Sequence, residues 1–163
     1  MRNYLLLFVT AGTLMLTSCT KPVNKNTDTK TDSAVSATEK SPGTLKIEFS
    51  GTDQFTIKSA LLKVSLYGVD EKLADAPATL ITEQEYEQKS VPFTINLPIP
   101  EDAESKINPK PAGPAKYYVA ISWDSDGNGK AGEKGDIVID YDKQFPNVKL
   151  NNETQKIYLK ELK

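Results

Sequence analysis

The sequence lacks most of the side chains on which common enzyme chemistry depends. Its 163 residues contain no histidine, one cysteine, Cys19, and one arginine, Arg2. Without histidine, neither a Ser-His-Asp triad nor a Cys-His pair can form. An ordinary zinc site is excluded for the same reason, and one cysteine cannot form a disulfide within the chain. We therefore expect that the protein is not an enzyme.

The charge balance argues against nucleic acid as a partner. Lysine and arginine number 20 against 22 acidic residues, which gives a formal net charge of −2. A chain with this balance lacks the basic face that neutralises phosphates. Apolar residues at 38% and charged residues at 26% are typical of a globular domain. The length fits one ordinary domain with appendages.

The N-terminus has the pattern of a lipoprotein signal. Arg2 precedes an apolar run over residues 4–16, which is shorter than the roughly 20 residues that a membrane-spanning helix needs and fits a secretory signal peptide. The run ends in Leu16-Thr17-Ser18-Cys19, which resembles the lipobox of bacterial lipoproteins. The resemblance implies removal of residues 1–18 and attachment of fatty acyl chains, such as palmitate, at Cys19. The alternative is an ordinary signal peptide with an incidental cysteine.

The residues after Cys19 predict a tether and a location. Residues 19–43 are the predicted lipidated cysteine and linker, and they contain few apolar side chains. Such a segment cannot bury enough surface to offset its chain entropy, so we expect disorder. Thr20 stands where lipoproteins retained in the inner membrane of enteric bacteria carry aspartate. We expect an envelope protein held by stable lipid anchoring in the outer membrane, facing the periplasm or the cell surface.

From Thr44 onward, apolar and polar residues alternate with a period of two, which predicts strands. The pattern or short β-branched runs place strands near residues 45–49, 62–66, 91–97, 117–123, 137–139 and 156–160, with one more at 80–82. Residues 83–89 are expected to form at most a turn or two of helix. We predict an all-β domain over residues 44–163, an antiparallel β-sandwich of seven or eight strands. A small closed barrel is the alternative.

Several stretches within the predicted strands carry a family resemblance. They are residues 64–70, Ala-Asp-Ala-Pro at 74–77, Val-Pro-Phe at 91–93, and Tyr-Val-Ala-Ile at 118–121. This pattern resembles the YscW/YbaY lipoprotein family, which includes a type III secretion pilotin. The resemblance implies a transthyretin-like β-sandwich on a lipid anchor, no catalytic activity, and an envelope partner such as a secretin. The sequence departs from the family pattern after Trp123.

The departure is an acidic, glycine-rich loop that predicts a calcium site. Ca²⁺ takes six to eight oxygen ligands, and alternate residues of a tight loop can direct them at one centre. The candidate ligands are Asp124, Asp126, Asn128, the Lys130 carbonyl, and Asp136 or Glu133. Gly129 stands where an EF-hand loop turns sharply. The alternative is a plain hairpin, because Asp-Gly and Asn-Gly are strong turn signals.

The sequence leaves three functions open. The favoured one is a membrane-anchored, non-catalytic interaction or assembly module, pilotin-like, with a structural calcium loop. The second is a calcium-dependent glycan- or peptide-binding module, and the third is a calcium-assisted hydrolase. The side chains that could line a partner site are Tyr67, Tyr117, Tyr118, Tyr141 and Tyr158, although tyrosines in strands ordinarily pack on the sheet. Glu83, Glu85 and Glu87 are expected to form a solvated face.

The lipobox prediction concerns one side chain and is tested by metabolic labelling with a fatty acid. Because only the Cys19 thiol can carry the diacylglycerol, Cys19→Ser should abolish labelling and leave the protein unprocessed or soluble. Ser18→Ala keeps a small residue before the cysteine and serves as the matched control, which should remain labelled. Label retained by the Cys19→Ser protein would contradict the prediction.

Overall fold

The computed structural model describes residues 43–72 and 76–163, so the predicted signal peptide, Cys19 and all but one residue of the linker lie outside it. The strands are β1 Thr44–Gly51, β2 Leu61–Asp70, β3 Thr79–Glu87, β4 Phe93–Pro98, β5 Ala115–Trp123, β6 Ile137–Ile139, β7 Asn147–Val148 and β8 Gln155–Glu161. In the part of the chain that the structure describes, no helix has the length and apolar character needed to cross a membrane.

The strands form two four-stranded sheets, which confirms the all-β sandwich. The first sheet has the order β4-β1-β8-β6 and the second has the order β3-β2-β5-β7. Every pairing is antiparallel except that of β1 with β8, which is parallel. The first and last strands are free to pair in parallel because the rest of the domain connects them.

The core lies between the inner faces of the two sheets. Along β1, the alternate residues Leu45, Ile47 and Phe49 are fully buried. The Phe49 ring stacks on that of Phe93 at a centroid distance of 4.9 Å. The Phe93 ring meets Trp123 edge-on at 6.0 Å. Trp123 and Leu66 are buried in this one interior, and Phe93 packs half-buried at its border.

The connection from β4 to β5 contributes to this core. Ile99, Ala103 and Ile107 are buried. Gly68 of β2 makes room for Ile107, since a Cβ built at Gly68 would lie 2.8 Å from Cδ1 of Ile107. Buried Asp70 accepts the backbone N–H of Ala112 at 2.8 Å, and this hydrogen bond lowers the pKa of the Asp70 carboxyl. The chain between β4 and β5 therefore packs against the core in addition to connecting the two strands.

The structure differs from the sequence expectation at four places. The sandwich was expected to be antiparallel, but β1 and β8 pair in parallel. The helical turn expected at residues 83–89 is wrong, because β3 extends to Glu87 and pairs with β2. β4 begins at Phe93 and not at residue 91, since Pro92 has no N–H to offer a ladder. The two-residue strand β7 was not predicted, because two residues are too few for an alternation to be seen.

The burial of Phe49 predicts a large loss of stability on truncation. Phe49→Ala should lower the free energy of unfolding by about 3–5 kcal/mol, because it removes a fully buried ring. Phe93→Ala should cost less, since its side chain is half-buried. Phe145→Ala, at an exposed position, should change it by no more than about 0.5 kcal/mol. Urea denaturation measures all three, and a Phe49→Ala protein as stable as wild type would contradict this packing.

Candidate functional site

The acidic loop, residues 124–136, connects the end of β5 to the start of β6. Each of Asp124, Asp126 and Asp136 places a carboxylate oxygen within 4.8 Å of the others. Asp136 is fully buried, whereas Asp124 and Asp126 are half-buried. The loop therefore brings together three of the residues that the sequence predicted as ligands.

Backbone N–H groups hold the carboxylates of the loop's first turn. Asp124 accepts from the N–H groups of Asn128 and Gly129, each at 2.9 Å. Asp126 accepts from the same Asn128 N–H at 3.0 Å and from the Asn128 side-chain amide at 3.2 Å. Gly129 has a φ of 91°, which glycine adopts without strain. The predicted sharp turn at Gly129 is thus present.

Asp136 joins the two ends of the loop. One of its oxygens accepts from the backbone of Ser125 at 2.8 Å and the other from Glu133 at 3.1 Å. The buried Ser125 hydroxyl in turn accepts from the N–H of Ile137 at 2.8 Å. Two backbone hydrogen bonds, both 2.8 Å long, connect Gly135 and Asp136 with Leu162. The carboxylate of Asp136 is consequently fixed by the strands around it.

The remaining predicted ligands lie elsewhere in the loop. The side-chain oxygen of Asn128 accepts from the Lys130 N–H at 2.8 Å. Exposed Glu133 forms an ion pair with Lys130 Nζ at 3.4 Å and is not a member of the three-carboxylate group. Oδ1 of Asp136 also accepts from the N–H of Asp126 at 3.3 Å, whereas, among the described residues, Oδ2 accepts only from Glu133. A carboxylate oxygen that accepts one N–H keeps a lone pair for a cation, so each of the three aspartates could still offer one oxygen to Ca²⁺.

A row of exposed apolar side chains crosses the outer face of the second sheet. It runs through Leu80, Tyr67, Tyr118, Phe145 and Tyr141, and we name it the aromatic stripe. Leu80 and Tyr67 are cross-strand partners, and the Tyr67 and Tyr118 rings stack at 5.4 Å. Phe145 lies 5.8 Å from the Tyr118 ring and 5.9 Å from the Tyr141 ring.

The stripe is exposed toward its two ends and half-buried at Tyr67 and Tyr118. Leu80, Tyr141 and Phe145 are 46%, 55% and 51% exposed. The sequence had indicated the three tyrosines of the stripe as candidates for a partner site, but not Leu80 or Phe145. The stripe joins residues from four separate segments of the chain, so no single segment shows it. Of the other two candidates, Tyr117 lines a cleft with Val148, and Lys143 Nζ lies 4.1 Å above the Tyr158 ring.

Three side chains beside the clefts, Tyr117, Lys160 and Asp142, have shifted pKa values. Tyr117 borders a cleft of about 620 Å³, where burial and the charge of Glu104 raise the pKa of its hydroxyl. A second cleft of about 510 Å³ holds Lys160 with Asp140 and Asp142. The hydrogen bond between Lys160 and Asp142 raises the lysine pKa and lowers the aspartate pKa. Both shifts move these groups away from the near-neutral pKa that general acid–base catalysis favours.

Comparison with known proteins adds one similar structure. No protein-family model matches the chain, and no curated protein matches it. Among solved structures, it is similar to an alternative pilotin from the type II secretion system of Vibrio cholerae, with 19% identity and a TM-score of 0.48. The similarity covers 74% of this chain and 96% of that one. The resemblance to the YscW/YbaY lipoproteins stays a prediction, and the pilotin's role is a property of that protein.

Proposed function

We propose that the protein is a lipid-anchored, non-catalytic envelope module that binds an envelope protein, such as a secretin, through the aromatic stripe. The observation that carries this proposal is the continuity of the stripe, in which the half-buried, stacked rings of Tyr67 and Tyr118 connect exposed side chains on either side of them. Exposed apolar surfaces that are contiguous mark interaction sites, whereas single exposed residues do not. Aromatic residues are also enriched in the buried centres of protein interfaces.

The stripe has the properties of an anchor surface. Tyr67 and Tyr118 are already ordered against each other by stacking, so a partner would meet a rigid platform at a small entropic cost. Beside this pair, Ala120 and Ser65 are cross-strand partners on the same face, and their short side chains leave the rings unobstructed. Phe145 projects next to this platform and offers about half of its surface.

The charges of the clefts support a non-catalytic role. Lys160 and Asp142 stabilise each other in their charged forms. Neither has the pKa of a general base or acid at neutral pH. Together with the missing histidine, this favours binding over catalysis.

The second part of the proposal is that Asp124, Asp126 and Asp136 hold one Ca²⁺ as a structural ion. Their oxygens converge on one region, and three carboxylates so close together repel one another. The Asn128 side chain, the Lys130 carbonyl and water would complete the six to eight ligands. The ion would fix the loop between β5 and β6.

The binding proposal is tested by crosslinking in solubilised envelope, affinity capture and identification of the captured chains. The Tyr141→Ser/Phe145→Ser double variant should lose capture of the secretin or assembly protein that wild type retains, because its stripe is shortened. Leu61→Ser is the matched control, since Leu61 is 52% exposed on the same sheet but outside the stripe. It should bind like wild type. Equal capture by all three proteins, or binding of a glycan in place of a protein, would overturn the proposal.

The calcium proposal is tested by calorimetric titration and by melting with and without calcium. We expect a dissociation constant of about 10⁻⁴–10⁻³ M. Calcium at a hundredfold that value should stabilise the fold by about 2.7 kcal/mol. Asp124→Asn/Asp126→Asn removes two charges but keeps acceptors for the turn, so it should lose this calcium effect. Glu87→Gln, outside the loop, should keep it. If the wild-type protein showed neither a heat of binding nor a calcium-dependent shift in melting temperature, the calcium proposal would be wrong and the loop would be a plain hairpin.

A further inference from the structure

The longest edge strand of the described sandwich is β3. It has 9 residues, against 6 in β4, 3 in β6 and 2 in β7. β2 pairs with one side of it, and among residues 43–72 and 76–163 no strand pairs with the other side. An edge of this length is a template for another strand.

The outward backbone groups of this edge belong to three glutamates. The Gln88 N–H points toward β2, because it donates to the Ala60 carbonyl at 2.8 Å. In an antiparallel ladder, the direction of the N–H and C=O groups alternates from residue to residue. The backbone N–H and C=O groups of Gln84 and Tyr86 therefore point toward β2. Those of Glu83, Glu85 and Glu87 point away from β2, toward solvent.

The side chains of the same three glutamates form a column on the outer face. Residues two apart in a strand lie about 7 Å from each other on one face. Glu83 is engaged by the Ser65 hydroxyl at 2.8 Å and by Lys63 Nζ at 3.3 Å. Within the part of the chain that is described, no hydrogen bond or ion pair engages the carboxylates of Glu85 and Glu87.

The charge of this column selects the strand that can pair with it. A second copy that paired its own β3 here would place glutamates opposite glutamates, which destabilises a sheet. A strand with a lysine or arginine at every second position would instead place a cation opposite each carboxylate. The edge therefore disfavours self-association and matches a basic strand.

We propose that the free edge of β3 accepts an extended segment of a partner protein, with basic residues at alternate positions, by strand addition. Backbone hydrogen bonds to Glu83, Glu85 and Glu87 supply the pairing, and their carboxylates select the basic residues. Leu80 is 46% exposed at the same edge, so an apolar residue beyond the basic ones would contact the end of the aromatic stripe. The β3 edge adjoins the surface that carries the proposed function at Leu80 but contains none of the aromatic residues of the stripe.

The test measures binding of two labelled peptides of equal composition to the intact protein by fluorescence anisotropy. In the first, Lys-Thr-Lys-Val-Lys-Thr, the lysines alternate; in the second, the three lysines are consecutive. Wild type should bind the alternating peptide more tightly, because only that peptide places all its lysines on one face. Equal binding of the two peptides, or binding of neither, would overturn the proposal.

Two variants distinguish the contribution of the backbone hydrogen bonds to peptide binding from the contribution of the carboxylate charges. Glu85→Pro removes an outward N–H without breaking the ladder to β2, and it should abolish the preference for the alternating peptide. Glu85→Gln/Glu87→Gln keeps the backbone edge and should weaken binding by about two- to thirtyfold, as expected for the loss of two cross-strand charge pairs. Unchanged binding by the glutamine variant, whose fold is checked by its melting curve, would overturn the proposal.

A matched control separates this proposal from the proposed function. The Tyr141→Ser/Phe145→Ser variant leaves β3 intact and should bind the alternating peptide like wild type. If it lost peptide binding while Glu85→Pro kept it, the peptide would be docking on the aromatic stripe and the strand-addition proposal would be wrong. The Glu85→Gln/Glu87→Gln variant leaves the aromatic stripe unchanged, so it should still capture the envelope partner through the stripe.

Discussion

The constraint on which the rest of the structure depends is the contact between the inner faces of the two sheets. In each strand, every second side chain must enter the layer between the sheets, since successive side chains point to opposite faces. Phe49 from the first sheet and Trp123 from the second both contact the ring of Phe93. Once these residues face inward, their neighbours have to face solvent. The glutamate column and the strand residues of the aromatic stripe, Leu80, Tyr67 and Tyr118, are therefore the outward half of the same alternation that builds the core.

The acidic loop depends on this framework in a different way. Its central carboxylate, Asp136, is buried and accepts backbone N–H groups from both halves of the loop. Leu162, just beyond β8, forms backbone hydrogen bonds with Gly135 and Asp136. Such a carboxylate stabilises its loop whether or not an ion is bound, because it satisfies donors that would otherwise be buried without a partner. Asp124 and Asp126, which are less buried, accept backbone N–H groups in the first turn of the loop in the same way.

The strands could be predicted from the sequence where the alternation is long, as in β1 and β5. Glutamate is a good helix former, and this misled the expectation for residues 83–89. Pairing with β2 overrides that preference, and the bonds of Glu83 to Ser65 and Lys63 show how. The acidic loop could be found because its candidate ligands all lie within one short segment of the chain. The aromatic stripe could not, because Phe145 meets Tyr118 only through the fold, and no spacing within one segment encodes that contact.

The three surfaces differ in how binding is coupled to stability. The ring of Phe145 and the carboxylate of Glu85 lie on the solvent side of the sheet and contribute little to the core, so either can be changed with little effect on folding. A partner bound there would stabilise the fold by mass action, as any ligand of the native state does. The acidic loop differs, since its carboxylates take part in the hydrogen bonds that shape the loop. A ligand of the loop would bind to carboxylates that already shape the loop, whereas a partner on the outer face of the second sheet would bind to a platform that the core has already built.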